Sequence, residues 1–208
     1  MSLAHGGVLF LDELPEFGRD ALESLREPLE RGHVMVTRAR ARATFPARFQ
    51  LIAAMNPCPC GWYGHPRRAC GCSAAQLARY RARLSGPLLD RIDLQVDLTD
   101  VTADALLRLP AGESSATVAR RVARARTRQC TRQGALNAQL EGAALQAHGA
   151  LDPDCAHWFG DALERLGWSA RAAHRTLRVA RSIADLAGEA RLSRAALAEA
   201  MQYRLGDA

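Results

Sequence analysis

The sequence holds no lysine: each of its 28 basic residues is arginine. That absence excludes one device outright. A phosphate-binding loop of the form G-x-x-x-x-G-K-[ST] needs its lysine to reach the β- and γ-phosphates of a nucleotide, so these 208 residues contain none. Long apolar runs are missing too. Nothing approaches the roughly eighteen residues that mark a bilayer-crossing helix, and no charged-then-apolar opening marks a secretory signal. The cytoplasm is the expected location. Aromatic residues make up only 5%. Alanine and leucine, both good helix formers, are abundant, and the apolar share of 48% is enough for a sizeable core. The formal charge of +6 is weak evidence for a polyanionic partner, because an arginine- and alanine-rich composition is what a GC-rich genome encodes.

A chain of this length makes one large domain or two small ones, and the pattern divides near residue 112. Residues 1–112 mix short apolar runs with turn signals, as α/β domains do. Val8-Leu9-Phe10-Leu11 is a continuous apolar run, suited to a strand buried on both faces of a parallel sheet. Ala21, Leu22, Leu25 and Leu29 recur at helical spacing and predict a helix over residues 18–30. Period-two alternation over 33–37 and 42–45 predicts a β-hairpin around residues 38–41. Residues 49–55 read as a second buried strand, 76–90 as helix, and 94–98 as a last short strand. After a connector with Pro110 and Gly112, residues 113–208 are almost wholly helical. Asp152-Pro153 is a helix start, and Ser169 and Ser193 are further N-cap candidates. Gly188 should stop the helix opened by Ser169, whose Ala173, Leu177, Ala180 and Ala184 line one packed face. The expected architecture is an α/β body with a hairpin, followed by an all-helical domain.

Five groups of residues carry candidate chemistry. Asp12-Glu13 follows the first apolar run, and strand ends form the carboxyl edge where open α/β sheets bind ligands. There Asp12 can hold a magnesium ion through water, and Glu13 can orient and deprotonate an attacking water; an ordinary acidic strand exit is the alternative. Asn56, ending the second strand, can hydrogen-bond a phosphate or the lytic water. Arg91, near the domain edge, can enter a neighbouring subunit's site as an arginine finger. Arg38, Arg40 and Arg42 would share one face of an extended strand and make a phosphate reader, or else a solvated hairpin whose charges discourage aggregation. Cys58-Pro59-Cys60 and Cys70-Gly71-Cys72 can supply a tetrahedral zinc site, with His65 as a substitute for one thiolate. Free thiols, or a disulfide formed on purification, are the alternatives. Cys130 and Cys155 stand alone and read as buried small apolar residues.

Taken in order, GGVLFLDELPEF, VMVTRARARATFPARFQLIAAMNPCPCG, RLSGPLLDRIDL and SARAAHRTLRVARSIADL resemble the magnesium-chelatase-like ComM (YifB) family over nearly the whole chain. The resemblance implies a bacterial AAA+ ATPase, in the clade of chelatase subunits and replicative helicases, that uses ATP and Mg²⁺ as a hexameric ring. It assigns Asp12 and Glu13 to the Walker B pair, Asn56 to sensor 1, Arg91 to the finger and Arg171 to sensor 2. It places the hairpin in a central pore that holds DNA, and implies branch migration during recombination of incoming DNA. Residues 1–112 would then be the C-terminal part of a AAA+ core and 113–208 its helical lid. The family's amino-terminal Lon-protease-like domain and phosphate-loop half have no counterpart here, so these residues alone are expected to be inactive. A chelatase-type motor acting on a protein partner and an inactive assembly module are the rival readings.

Overall fold

In the computed structural model, which describes residues 1–38, 41–98, 107 and 112–204, the chain forms two compact units, Met1–Ile92 and Asp93–Ala208. Most of the expected connector between residues 99 and 113, Pro110 included, lies outside the described residues.

In the first unit, strands β1 (Val8–Leu11) and β4 (Gln50–Ala53) pair in parallel, with Val8 opposite Gln50 and Leu11 opposite Ala53. Strands β2 (His33–Arg38) and β3 (Ala41–Pro46) form a separate antiparallel hairpin. Gly32 sets the hairpin's entry. Its φ of +71° favours glycine, and a Cβ there would come within 2.6 Å of the Arg48 side chain. Leu9 and Leu11 pack onto a core of Leu14, Leu22, Leu25, Leu84 and Leu88. The other face of the sheet is open: Val8, Phe10 and Ile52 are 57%, 59% and 48% exposed. Burial on both faces, expected from the apolar run, is therefore corrected to burial on one.

The helices of this unit are shorter than their periodicity predicts. Residues 18–30 split into α1 (Arg19–Ser24) and α2 (Arg26–Arg31). Pro28 is the cause, since it has no N–H to give and its ring crowds the carbonyl four residues back, that of Ser24. Residues 76–90 split likewise. Helix α3 (Ala74–Arg81) starts at a reciprocal Ser73–Gln76 capping box, and α4 (Gly86–Leu89) is capped afresh by Ser85 ahead of Pro87. Residues 94–98 form no strand; the Gln95 N–H donates instead to the Tyr203 carbonyl at 2.8 Å, without a ladder.

The second unit is helical: α5 (Ser115–Gln133), α6 (Gly142–His148), α7 (Pro153–Leu166), α8 (Ala170–Ala187) and α9 (Arg194–Gln202). Asp152, Ser169 and Ser193 cap α7, α8 and α9 by accepting backbone N–H groups, as their positions predict. Helix α8 ends at Gly188 with φ +84°. Ala173, Ala180 and Ala184 of its inner face are buried against Ala196, Leu197, Ala200 and Met201 of α9, with Leu177 packed alongside. Cys155 is buried in that core, but Cys130 is exposed, contrary to expectation, because α5 turns it outward. No described helix is long and apolar enough to cross a membrane.

A charged network that periodicity does not reveal ties these helices together. Asp185 of α8, 1% exposed, accepts from both terminal nitrogens of Arg132 at 2.5 and 2.9 Å, from Asn137 Nδ2 at 2.8 Å and from Arg181 at 3.1 Å. Arg181, itself 1% exposed, also donates to the carbonyls of Glu189 and Ala190. Burial pushes the Asp185 carboxyl up, but hydrogen bonds from Arg132 and Asn137 and the two guanidinium charges outweigh it and hold the pKa below the usual carboxylate value. A carboxylate depressed in the fold stabilises fully above its unfolded value of about 4, and loses that contribution as pH falls through the lower folded value. Asp185→Ala strands the buried Arg181 guanidinium and the half-buried Arg132 and should cost about 3 kcal/mol at neutral pH, read by urea denaturation. The variant's stability should also fall less steeply than the parent's at acid pH. A loss under about 1 kcal/mol would show that the network is dispensable.

Candidate functional site

Asp12 and Glu13 leave β1 at its carboxyl edge, and Asn56 leaves β4 at the same edge. The pairing continues beyond the strands: Ala54 N–H donates to the Leu11 carbonyl and Leu14 N–H to the Ala54 carbonyl, each at 2.9 Å. The two exits are therefore locked together, with all three side chains exposed. Glu13 adopts φ 49°, ψ 49°, the left-handed region, and no other non-glycine residue among those described has a positive φ. Such a conformation costs on the order of 1–3 kcal/mol and persists only where its surroundings impose it. Here Asp12 Oδ1 accepts the Glu13 N–H at 2.9 Å, and the Glu13 carbonyl accepts from Glu16 N–H at 2.8 Å, closing the 3₁₀ turn Leu14–Glu16. Asn56 is braced as well, since the Tyr80 hydroxyl of α3 donates to its carbonyl at 3.1 Å. Burial, and then the nearby Glu16 charge, push the Tyr80 phenol up and keep it a donor. Two carboxylates and an amide so placed can hold a hydrated cation, accept a proton from water and orient a phosphate oxygen.

The other candidates are placed elsewhere. Arg91 follows α4, 9% exposed at the side chain, pairing with Glu30 and donating to the Pro87 carbonyl at 2.6 Å. Arg171 is exposed in the first turn of α8, in the second unit. In the hairpin, Arg38 is opposite Ala41 and Thr37 opposite Arg42. Opposed positions share a face and successive ones alternate, so positions 38 and 42 lie on opposite faces. The expected single face is corrected, because the chain reverses between them; Arg40 lies outside the described residues.

The four clustered cysteines do converge. Cys58 Sγ is 3.4 Å from Cys60 and 3.7 Å from Cys70, Cys60 is 3.5 Å from Cys70, and all four sulfurs lie within 4.8 Å of one another. Sulfurs at the corners of a zinc tetrahedron with Zn–S of about 2.3 Å stand about 3.8 Å apart, so the donor set fits that ion. All four thiols are free, and His65 is not among the converging groups. Its Nδ1 instead accepts the Arg67 N–H at 3.1 Å, and its ring packs edge-on against Trp62. The thiols differ: the Trp62 backbone N–H, with further hydrogen bonds, pulls the Cys60 thiol down to about 6, whereas burial pushes Cys72 up to about 12.

Two family models match the chain, magnesium chelatase subunit ChlI over residues 1–106 and the ChlI C-terminal region over residues 112–204. The chain is 51% identical to YifB of Salmonella typhimurium over 209 residues and 48% identical to YifB of Escherichia coli, in each case over 100% of this chain. The chain belongs to the magnesium-chelatase-like ComM/YifB family. It is also 47% identical to the competence protein ComM of Haemophilus influenzae, over 98% of its length. It spans about two fifths of these relatives, 40–41% of each.

Three contributors escaped the sequence reading. The Tyr80 brace and the left-handed Glu13 depend on contacts and backbone angles that no local pattern encodes. The Arg91–Glu30 pair spans sixty-one positions. Structural zinc sites bind tightly, so protein purified without chelator should carry close to one zinc per chain. Cys58→Ser with Cys60→Ser should remove it. Elemental analysis that finds no metal in fresh, reduced protein would leave the cluster as thiols.

Proposed function

We propose that this chain is the hydrolytic second half of a AAA+ ring ATPase that couples ATP turnover to remodelling of DNA. The observation that carries the reading is the strained Glu13 beside Asp12 and Asn56 at one carboxyl edge, in a member of this family. Asp12 would hold the magnesium of the nucleotide, and the bound Mg²⁺–ATP supplies the phosphoryl group to be transferred. Glu13 would take the proton of the attacking water and Asn56 would orient it. Arg91 would act on a neighbouring subunit's nucleotide, for which its guanidinium must exchange Glu30 for phosphate, and Arg171 would contact the nucleotide as sensor 2. Cys58, Cys60, Cys70 and Cys72 would hold zinc. In this reading residues 1–112 complete a α/β core and 113–208 form its lid, in a cytoplasmic hexamer. The exposed apolar face of Val8, Phe10 and Ile52 supports further strands from a preceding segment, which would also bring the phosphate loop.

DNA as substrate is supported by a relative named as a competence protein and by the arginines of the hairpin. The chelatase name of the matching family models favours the rival, a motor that remodels a protein, although pore loops for protein are more often aromatic and apolar. In the full-length protein, four-way DNA should stimulate ATP hydrolysis. Replacing Arg38, Arg40 and Arg42 by Ala should abolish that stimulation and flatten log K against log salt by about 1.5–2, two phosphate contacts' worth. Unchanged affinity and slope in an assembled ring would remove the hairpin from the DNA path and favour the protein substrate.

A further inference from the structure

Positive charge gathers in two stretches free of Asp and Glu, residues 31–89 and residues 114–140. Residues 31–89 contain ten arginines and no Asp or Glu, although the whole chain has 22 acidic residues. The cysteine cluster sits inside that stretch, and its converging thiols flank both ends of the loop 61–69. Within and beside the loop, Arg68 stacks over Trp62 at 4.1 Å and Arg81 over Tyr63 at 5.1 Å. Tyr63 keeps 45% of its surface in solvent, and Arg67, Arg68 and Arg81 are exposed. Among the described residues, none of these three arginines is paired with a carboxylate. Their charge is uncompensated, and two rings stand among them on a loop flanked by four converging sulfurs.

From this juxtaposition we propose that the cysteine-flanked loop is a second nucleic-acid contact, which takes a single strand by stacking a base on Tyr63 and placing phosphates at Arg67 and Arg68. Single-strand binders combine these two elements: a basic track for the backbone and an aromatic ring that accepts any base. A guanidinium already stacked on one side of Tyr63 leaves the rest of the ring for the base. An acidic polypeptide would use the arginines but gain little from the ring. The proposal rests on the DNA reading above but not on the hairpin.

The test is fluorescence anisotropy with labelled oligothymidylate on full-length, zinc-loaded protein across a salt series. Tyr63→Ala should weaken binding about ten-fold, the typical loss of one base stack, while Tyr63→Phe keeps the parent affinity. Arg67→Ala with Arg68→Ala should flatten the salt dependence by about 1.4, at about 0.7 per phosphate on a single strand. Zinc content should stay at the parent level in each variant, which separates lost contact from a lost fold. Parent-like affinity and slope in all three variants would overturn the proposal. If the hairpin variant lost DNA under the same conditions, the DNA reading would survive without this surface. An equal loss of polyglutamate binding on Tyr63→Ala would identify a surface for acidic protein and overturn it too. A parent protein that binds no DNA would overturn both readings.

Discussion

The parallel pairing of β1 with β4 is the constraint on which the candidate site depends. Four residues on each side set the register, and two further hydrogen bonds, Ala54 to Leu11 and Leu14 to Ala54, carry it past the strand ends. Without them, Asp12 and Glu13 on one exit and Asn56 on the other would belong to independent loops. With them, Glu13 is forced into the left-handed region directly after the last paired residues, and Tyr80 fixes the Asn56 carbonyl from α3. The cysteine cluster fits the same logic. Cys58 and Cys60 begin two residues after Asn56, and Cys72 immediately precedes the cap of α3, so a metal there would brace the segment between Asn56 and the helix that holds it.

The helical unit is held in a different way. Its core is rich in alanine, which gives close helix contact but little apolar area per residue. Directional bonds set the arrangement: Asp185 gathers Arg132, Asn137 and Arg181 from α5, the following turn and α8 itself. A buried cluster of this kind adds little net stability but is very costly to leave half-paired, so it specifies one arrangement of those helices.

What was legible in the sequence follows from the range of each interaction. Local signals were read correctly: the caps at Asp152, Ser169 and Ser193, the stop at Gly188, the alanine face of α8, the hairpin, and the convergence of the four cysteines. Failures came where distant context overrides a local pattern. Pro28 sits within a helical period, yet its ring breaks the turn behind it. The arginines at 38 and 42 alternate as if along one strand, but the reversal between them puts the two positions on opposite faces. Residues 94–98 have strand-like composition, but among the described residues no strand pairs with them. Phe10 has the apolar neighbours of a doubly buried strand, yet one face of the sheet is uncovered. The Asp185 network joins residues about fifty positions apart and has no periodic trace.

In the proposed function, Glu13 handles the attacking water while the rest of the site binds the nucleotide. Glu13→Gln in the full-length protein keeps the size and hydrogen-bonding oxygen of the side chain but removes the base. Measuring ATP binding by calorimetry alongside turnover separates the two roles. Near-parent affinity is expected, with turnover lowered by about 10²–10⁴-fold, the usual contribution of a general base. Parent-like turnover in that variant would contradict that role for Glu13.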